Sequence, residues 1–199
     1  MRVDLDTGAT FRLRADDVAA LDLHPGVEID DALLRAVRER SLHLAASEAA
    51  RRLLAVRPRS ERELRERLLR RGLPDPTVSA VIGELRARGL VDDRRFADAW
   101  VRDRLALRPS GRVRLRYELA TRGVARDVVE AVLAQALPAG DELTLARHVA
   151  SARLRRYRGL PAEVASRRLA GVLLRRGFAT SIVARVLRDL FGRALEPSP

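Results

Sequence analysis

Along most of this chain the apolar residues recur at helical spacing, and from residue 45 onward they recur in register with themselves. The dipeptide Arg-Gly stands at Arg71-Gly72, Arg122-Gly123 and Arg176-Gly177, at intervals of 51 and 54 residues. Eight residues before each glycine come Leu64, Leu115 and Leu169, and four before come Leu68, Leu119 and Leu173. Six, nine and ten residues after it come Val78, Val81 and Ile82, then Val129, Val132 and Leu133, then Val183, Val186 and Leu187. Positions −8 and −4 share one helix face, and +6, +9 and +10 form a second apolar stripe of helical period. Each glycine suits the left-handed residue that ends the earlier helix.

Each unit therefore reads as three helices. A first helix carries Phe96 and Trp100 in the second copy, with Leu145 and Val149 at the same spacing in the third. Proline-bearing turns precede each second helix: Arg57-Pro58, Arg108-Pro109-Ser110-Gly111 and Arg158-Gly159-Leu160-Pro161. Ser60-x-x-Glu63 has the form of a capping box for the second helix of copy one. Asp75-Pro76 is expected to cap and start its third helix. A single three-helix unit has a thin core, so an elongated, curved array of stacked units is expected.

The first 44 residues differ. Val3, Leu5, Phe11 and Leu13 alternate with polar residues around Asp6-Thr7-Gly8, which predicts a small β-hairpin. A short helix over 16–21 and a turn at Leu23-His24-Pro25-Gly26 follow. A longer helix begins near Asp30 and runs toward Leu44, or on into the next element. The expected architecture is thus all-α: an N-terminal hairpin and helix segment (1–44), then three-helix repeats over 45–90, 91–138 and 139–199. The closing Glu196-Pro197-Ser198-Pro199 reads as a frayed tail.

Charge changes the picture. All 39 basic residues are arginine, against 27 acids, for a formal net charge of +12. Residues 1–44 carry six arginines and nine acids, while 45–199 carry 33 arginines and 18 acids. The positive field belongs to the repeats, and its expected partner is rich in phosphate.

Catalytic chemistry finds no footing. Cysteine is absent, and His24, His43 and His148 share no ligand spacing, so neither metal nor cofactor is expected. Asp16-Asp17, Asp30-Asp31 and Asp92-Asp93 stand where helices begin, where capping and the helix dipole favour carboxylates. Neither a phosphate-binding glycine loop nor a nucleophile elbow is present. No apolar run approaches the roughly 20 residues of a bilayer span, and the opening MRVDLDTGAT lacks the apolar centre of a signal peptide. A cytoplasmic, monomeric binding protein is expected.

The arginines cluster beside the turns. Copy two holds Arg108, Arg112, Arg114, Arg116 and Arg122. Copy three holds Arg153, Arg155, Arg156 and Arg158, then Arg167, Arg168, Arg175 and Arg176. These thirteen are the candidate nucleic-acid contacts, since guanidinium groups bind phosphates bidentately and each neutralised phosphate releases counterions. In copy one, acids interleave the arginines, and intrahelical pairs such as Glu61–Arg65, Glu63–Arg67 and Glu66–Arg70 are expected instead. Aromatics make up 4% of the chain, too few for a stacking platform, so contact with single- or double-stranded DNA should be largely sequence-independent. A sequence-reading helix-turn-helix is disfavoured, because Val78-Ser79-Ala80-Val81-Ile82 offers few side chains to base edges.

The stretch from Arg57 to Leu137 resembles the RecX family of RecA regulators. The segments that carry the resemblance are Arg59-Ser60-Glu61-Arg62-Glu63-Leu64-Arg65-Glu66-Arg67-Leu68 and Gly89-Leu90-Val91-Asp92-Asp93-Arg94-Arg95-Phe96-Ala97. Trp100-Val101-Arg102, Arg108-Pro109-Ser110-Gly111 and Glu118-Leu119-Ala120-Thr121-Arg122-Gly123-Val124 complete it. The resemblance implies three tandem three-helix repeats in a crescent, lying in the groove of a RecA filament on DNA. It also implies inhibition of recombinase activity, with roles in recombination, repair and the SOS response. The alternative from the residues alone is a stand-alone basic DNA-binding protein or transcriptional repressor.

Overall fold

The structure is a computed structural model that describes residues 1–195; the tail expected at 196–199 lies outside them. Two compact units divide the chain, Met1–Asp92 and Asp93–Pro199.

The first unit opens with strands β1 (Arg2–Asp4) and β2 (Thr10–Arg12), paired antiparallel with Val3 opposite Phe11. Helix α1 (Ala15–Ala20) follows, then the 26-residue α2 (Asp31–Val56). Of the two courses open to the helix beginning near Asp30, the structure takes the longer. One helix serves both the N-terminal segment and the first repeat. The Asp30 carboxylate accepts from the Leu33 amide at 2.7 Å and fixes its start. Polar ties hold the N-terminal segment to it: Arg12 to Glu48 at 3.0 Å, and Arg40 to the buried Asp17 at 3.1 Å.

Helices α3 (Glu61–Leu69) and α4 (Asp75–Ala87) complete the first repeat. Ser60 caps α3, its hydroxyl accepting from the Glu63 amide at 3.1 Å. The cap of α4 is not as expected. Pro74 is the residue before the helix, and Asp75 is already in the first turn, its carboxylate held by Arg65 at 2.6 Å. The ion pairs also differ from those the spacing suggests: Glu66 takes Arg62, Glu63 takes Arg57, and Arg65 crosses to α4. The exposed helix face offers acids on both sides, and the loops supply competing partners that intrahelical spacing does not register.

The second unit holds α5 (Asp93–Leu107), α6 (Arg112–Ala120) and α7 (Arg126–Ala136), then α8 (Ala139–Leu154), α9 (Ala162–Arg175) and α10 (Thr180–Leu195), with a 3-10 turn at Arg155–Tyr157. Every apolar position marked by the repeat is buried save Leu187, which is half-buried against the third core. Gly72, Gly123 and Gly177 have φ of 77°, 81° and 77°. The residue after the glycine, Val124 or Phe178, donates back to the carbonyl of Leu119 or Leu173 and enters the core. This is the closing pattern of a left-handed helix end with its apolar contact.

Candidate nucleic-acid interface

Within the second unit the turn before α6 lies directly on the turn after α9. The Gly111 amide donates to the Arg176 carbonyl at 2.8 Å, and the Val113 amide to the Gly177 carbonyl at 3.1 Å. A β-carbon on Gly111 would enter the Gly177–Phe178 peptide, and one on Gly177 would enter Arg114. Repeats two and three therefore meet backbone to backbone. The first turn of α6 receives a further tie from α8, where the buried Glu142 carboxylate accepts the Arg112 amide at 2.8 Å.

This contact decides which candidate arginines face outward. Arg116 makes a two-point ion pair with Glu130 of α7, at 2.5 and 3.0 Å, and Arg112 reaches the same carboxylate at 3.8 Å. The Glu130 bond holds the Arg116 guanidinium above its ordinary pKa despite partial burial. Arg114 pairs with Glu118 at 2.8 Å and donates to the Arg175 carbonyl at 3.1 Å. Arg122 lies over the Trp100 ring at 3.6 Å and donates to the Glu118 carbonyl. Arg176 donates to the Pro109 carbonyl at 3.0 Å, binding the two repeats together.

The organising group of copy two is Glu118, which the sequence reading did not single out. Its carboxylate is nearly buried and accepts from Trp100 Nε1 at 3.0 Å, Arg104 Nε at 2.7 Å and Arg114 Nε at 2.8 Å. Burial raises its pKa, but hydrogen bonds from Arg104, Arg114 and Trp100 outweigh this and leave it below the ordinary glutamate value. The Arg104 guanidinium also lies over the Trp100 ring, 4.4 Å from its centre. The signal available in sequence was the i, i+4 spacing of Arg114 and Glu118; nothing there pointed to Trp100 or Glu142.

The remaining candidates are different in kind. Arg108, Arg155, Arg156, Arg158, Arg167, Arg168 and Arg175 are exposed, and among the described residues none makes an ion pair. Arg153 is half-buried, and its Nε is buried with no hydrogen-bond acceptor. Arg168 and Arg175 share a face of α9, where Gly171 leaves room for the Arg175 guanidinium. Tyr117 is exposed, while Tyr157 packs on the third core. Among the described residues no group of His, Asp or Glu is arranged to hold a metal, and no helix is long and apolar enough to cross a membrane.

Three helices per repeat, with a glycine ending the middle one, define a tandem helical-repeat protein whose second unit joins its two repeats turn on turn. Residues 46–85, 92–133 and 140–187 match the first, second and third three-helix domains of RecX in turn. The chain belongs to the RecX family. It is 40% identical over 148 residues to the regulatory protein RecX of Thermobifida fusca, covering 74% of this chain and 80% of that one. It is 39% identical to that of Mycobacterium avium, over 68% and 79%, and 32% identical to that of Geobacillus thermodenitrificans, over 98% and 69%. A crystal structure of regulatory protein RecX superposes with a TM-score of 0.78 at 23% identity, covering 93% of this chain and 92% of the other. RecX from Lactobacillus salivarius gives 0.68 at 19%, covering 75% and 96%.

Proposed function

We propose that this protein is a cytoplasmic, monomeric regulator that binds the RecA–DNA filament and DNA itself and inhibits recombinase activity, acting by binding rather than by catalysis. The relatives are named regulatory proteins, and the family resemblance supplies RecA as the partner. The observation that carries the DNA-contacting half is the division among the arginines. Those of α6 are occupied by Glu118 and Glu130, whereas Arg155, Arg156, Arg158, Arg167, Arg168 and Arg175 of the third repeat stand exposed and make no ion pair among the described residues. Unpaired surface guanidiniums on one unit raise its affinity for a polyanion with little base selectivity.

The test is ATP hydrolysis by RecA on single-stranded DNA, titrated with this protein. Inhibition well below one protein per recombinase subunit is the expected result, because a protein that acts on filament growth need not cover the DNA. No inhibition, or inhibition that sets in only near saturation of the DNA, would leave the alternative of a stand-alone DNA-binding protein.

A further inference from the structure

Four arginines from four segments stand about the junction of repeats two and three, where Arg176 donates to the carbonyl of Pro109, next to Arg108, and Arg114 to that of Arg175. Arg108 ends the helix α5 turn, Arg114 lies in α6, Arg153 is at the end of α8, and Arg176 closes α9. Arg176 sits at the centre. Its guanidinium is partly desolvated, and the charges of Arg108, Arg153 and Arg114 act on it together, so that its pKa is lowered first by burial and then by these three neighbours. Arg114 has a counter-charge in Glu118. Arg108, Arg153 and Arg176 have none among the described residues, and the Nε of Arg153 is buried with no acceptor at all.

Like charges gathered in a partly dry place repel one another, and their desolvation is not repaid unless an anion joins them. Backbone carbonyls account for part of the arrangement, since Arg114 donates to Arg175 at the end of α9 and Arg176 to Pro109 in the turn before α6. They do not account for Arg108, which is exposed, or for the orphaned Arg153 Nε. Guanidinium forks at several angles match an oxyanion with more than one free oxygen. Exposed Arg155, Arg156 and Arg175 adjoin the cluster in sequence and continue the positive surface, which suits a ligand whose negative charge repeats along a chain.

We propose that Arg108, Arg153 and Arg176 form an oxyanion site across the junction of repeats two and three, and that it takes a backbone phosphodiester of DNA. The site uses side chains from both repeats, so an occupied site also fastens the junction. This assignment rests on the reading of DNA as a ligand of the protein, and it can fail or stand separately from the action on RecA.

The experiment measures binding of the full chain to fluorescent oligothymidylate over a range of salt, for wild type and for Arg108→Gln, Arg153→Gln and, as a control, Arg188→Gln on exposed α10. Arg108→Gln removes an exposed side chain, which keeps the test open should Arg153→Gln disturb the fold. Each site variant should weaken binding and flatten the plot of log affinity against log salt by about 0.7, the loss of one phosphate contact on a single strand, while the control changes little. Thermal melting with inorganic phosphate at matched ionic strength should stabilise wild type more than Arg153→Gln. Equal effects from all three variants would replace the site by a diffuse field and overturn the proposal. Unchanged DNA binding with lost inhibition of RecA ATPase would assign the cluster to acidic groups of a protein partner and overturn it too. Flattened slopes in a protein that leaves RecA untouched would uphold the site while removing the proposed regulatory role.

Discussion

Gly111 lies against Gly177, 66 positions further along the chain, so closely that neither has room for a β-carbon. The amide of Gly111 reaches the carbonyl of Arg176, and the amide of Val113 that of Gly177. The glycine that ends α9 thus has two tasks. Like Gly72 and Gly123 it adopts a left-handed conformation, but unlike Gly72 it also receives another segment's backbone.

Substitution should separate those tasks. Gly72→Ala meets open space and carries the cost of positive φ alone, about 1–2 kcal/mol. Gly177→Ala adds a collision with Arg114, so its loss of stability should exceed that of Gly72→Ala, and the third repeat should melt ahead of the second. Denaturation followed by circular dichroism and by fluorescence of Trp100, the single tryptophan, reads both effects. Equal destabilisation of the two variants would mean that the junction yields easily.

Glu118 makes stability depend on pH. Its folded pKa lies below the ordinary value because the hydrogen bonds from Arg104, Arg114 and Trp100 outweigh its burial. A carboxylate depressed on folding contributes stability that is fully present above its unfolded pKa and is lost as the pH falls through the folded one. Acid titration should therefore weaken the second unit below the ordinary glutamate range, and Glu118→Gln should flatten that dependence. Glu118→Ala, which leaves two guanidiniums and an indole without their acceptor, should cost on the order of 3 kcal/mol at neutral pH.

The two groups of arginines should respond differently. Arg116→Gln breaks a two-point pair with Glu130 and should lower the melting temperature with little change in DNA affinity. Exchanging Arg153, Arg155 and Arg156 for glutamate should reverse this pattern, with a large loss of DNA affinity at moderate salt. Parallel melting and binding curves decide it, and undiminished affinity in the triple variant would move the DNA contact elsewhere.

The repeat was legible because burial imposes a period. Leu64, Leu115 and Leu169 recur because each fills the same place in a three-helix core, and a glycine with positive φ must follow at a fixed distance. The N-terminal hairpin was legible from the alternation of Val3, Leu5 and Phe11. What did not show was pairing between segments distant in sequence. Nothing in the spacing reveals that Arg116 belongs to Glu130, that Trp100 meets both Arg104 and Arg122, or that Glu142 reaches α6. Composition counts an arginine equally whether it faces water or a buried carboxylate, so sequence enlarges the candidate surface. The Asp75 cap failed for a related reason: Arg65, from the preceding helix, takes the carboxylate that the local pattern assigned to the backbone.

The close approach at Gly111 also explains an exchange of caps between repeats. In the first repeat Ser60 caps α3 with its own hydroxyl. The corresponding position before α6 is Gly111, which has no side chain to offer and cannot acquire one beside Gly177. Glu142 of α8 supplies the missing acceptor, so the N-terminus of α6 is completed only by the next repeat. Ser60→Ala should cost about 1 kcal/mol, the ordinary value of a cap. Glu142→Ala should cost more, about 1.5–3 kcal/mol, because a charged acceptor is lost and the partly buried Arg112 amide is left unpaired. Gly111→Ser sharpens the point. It restores the cap residue of the first repeat, yet it should destabilise the protein, because its β-carbon enters the Gly177–Phe178 peptide. Urea midpoints of the three variants supply the comparison. A stabilised Gly111→Ser protein would show that the turn can move away from Gly177 at little cost, and that the Glu142 cap follows from accident rather than from the contact between the two glycines.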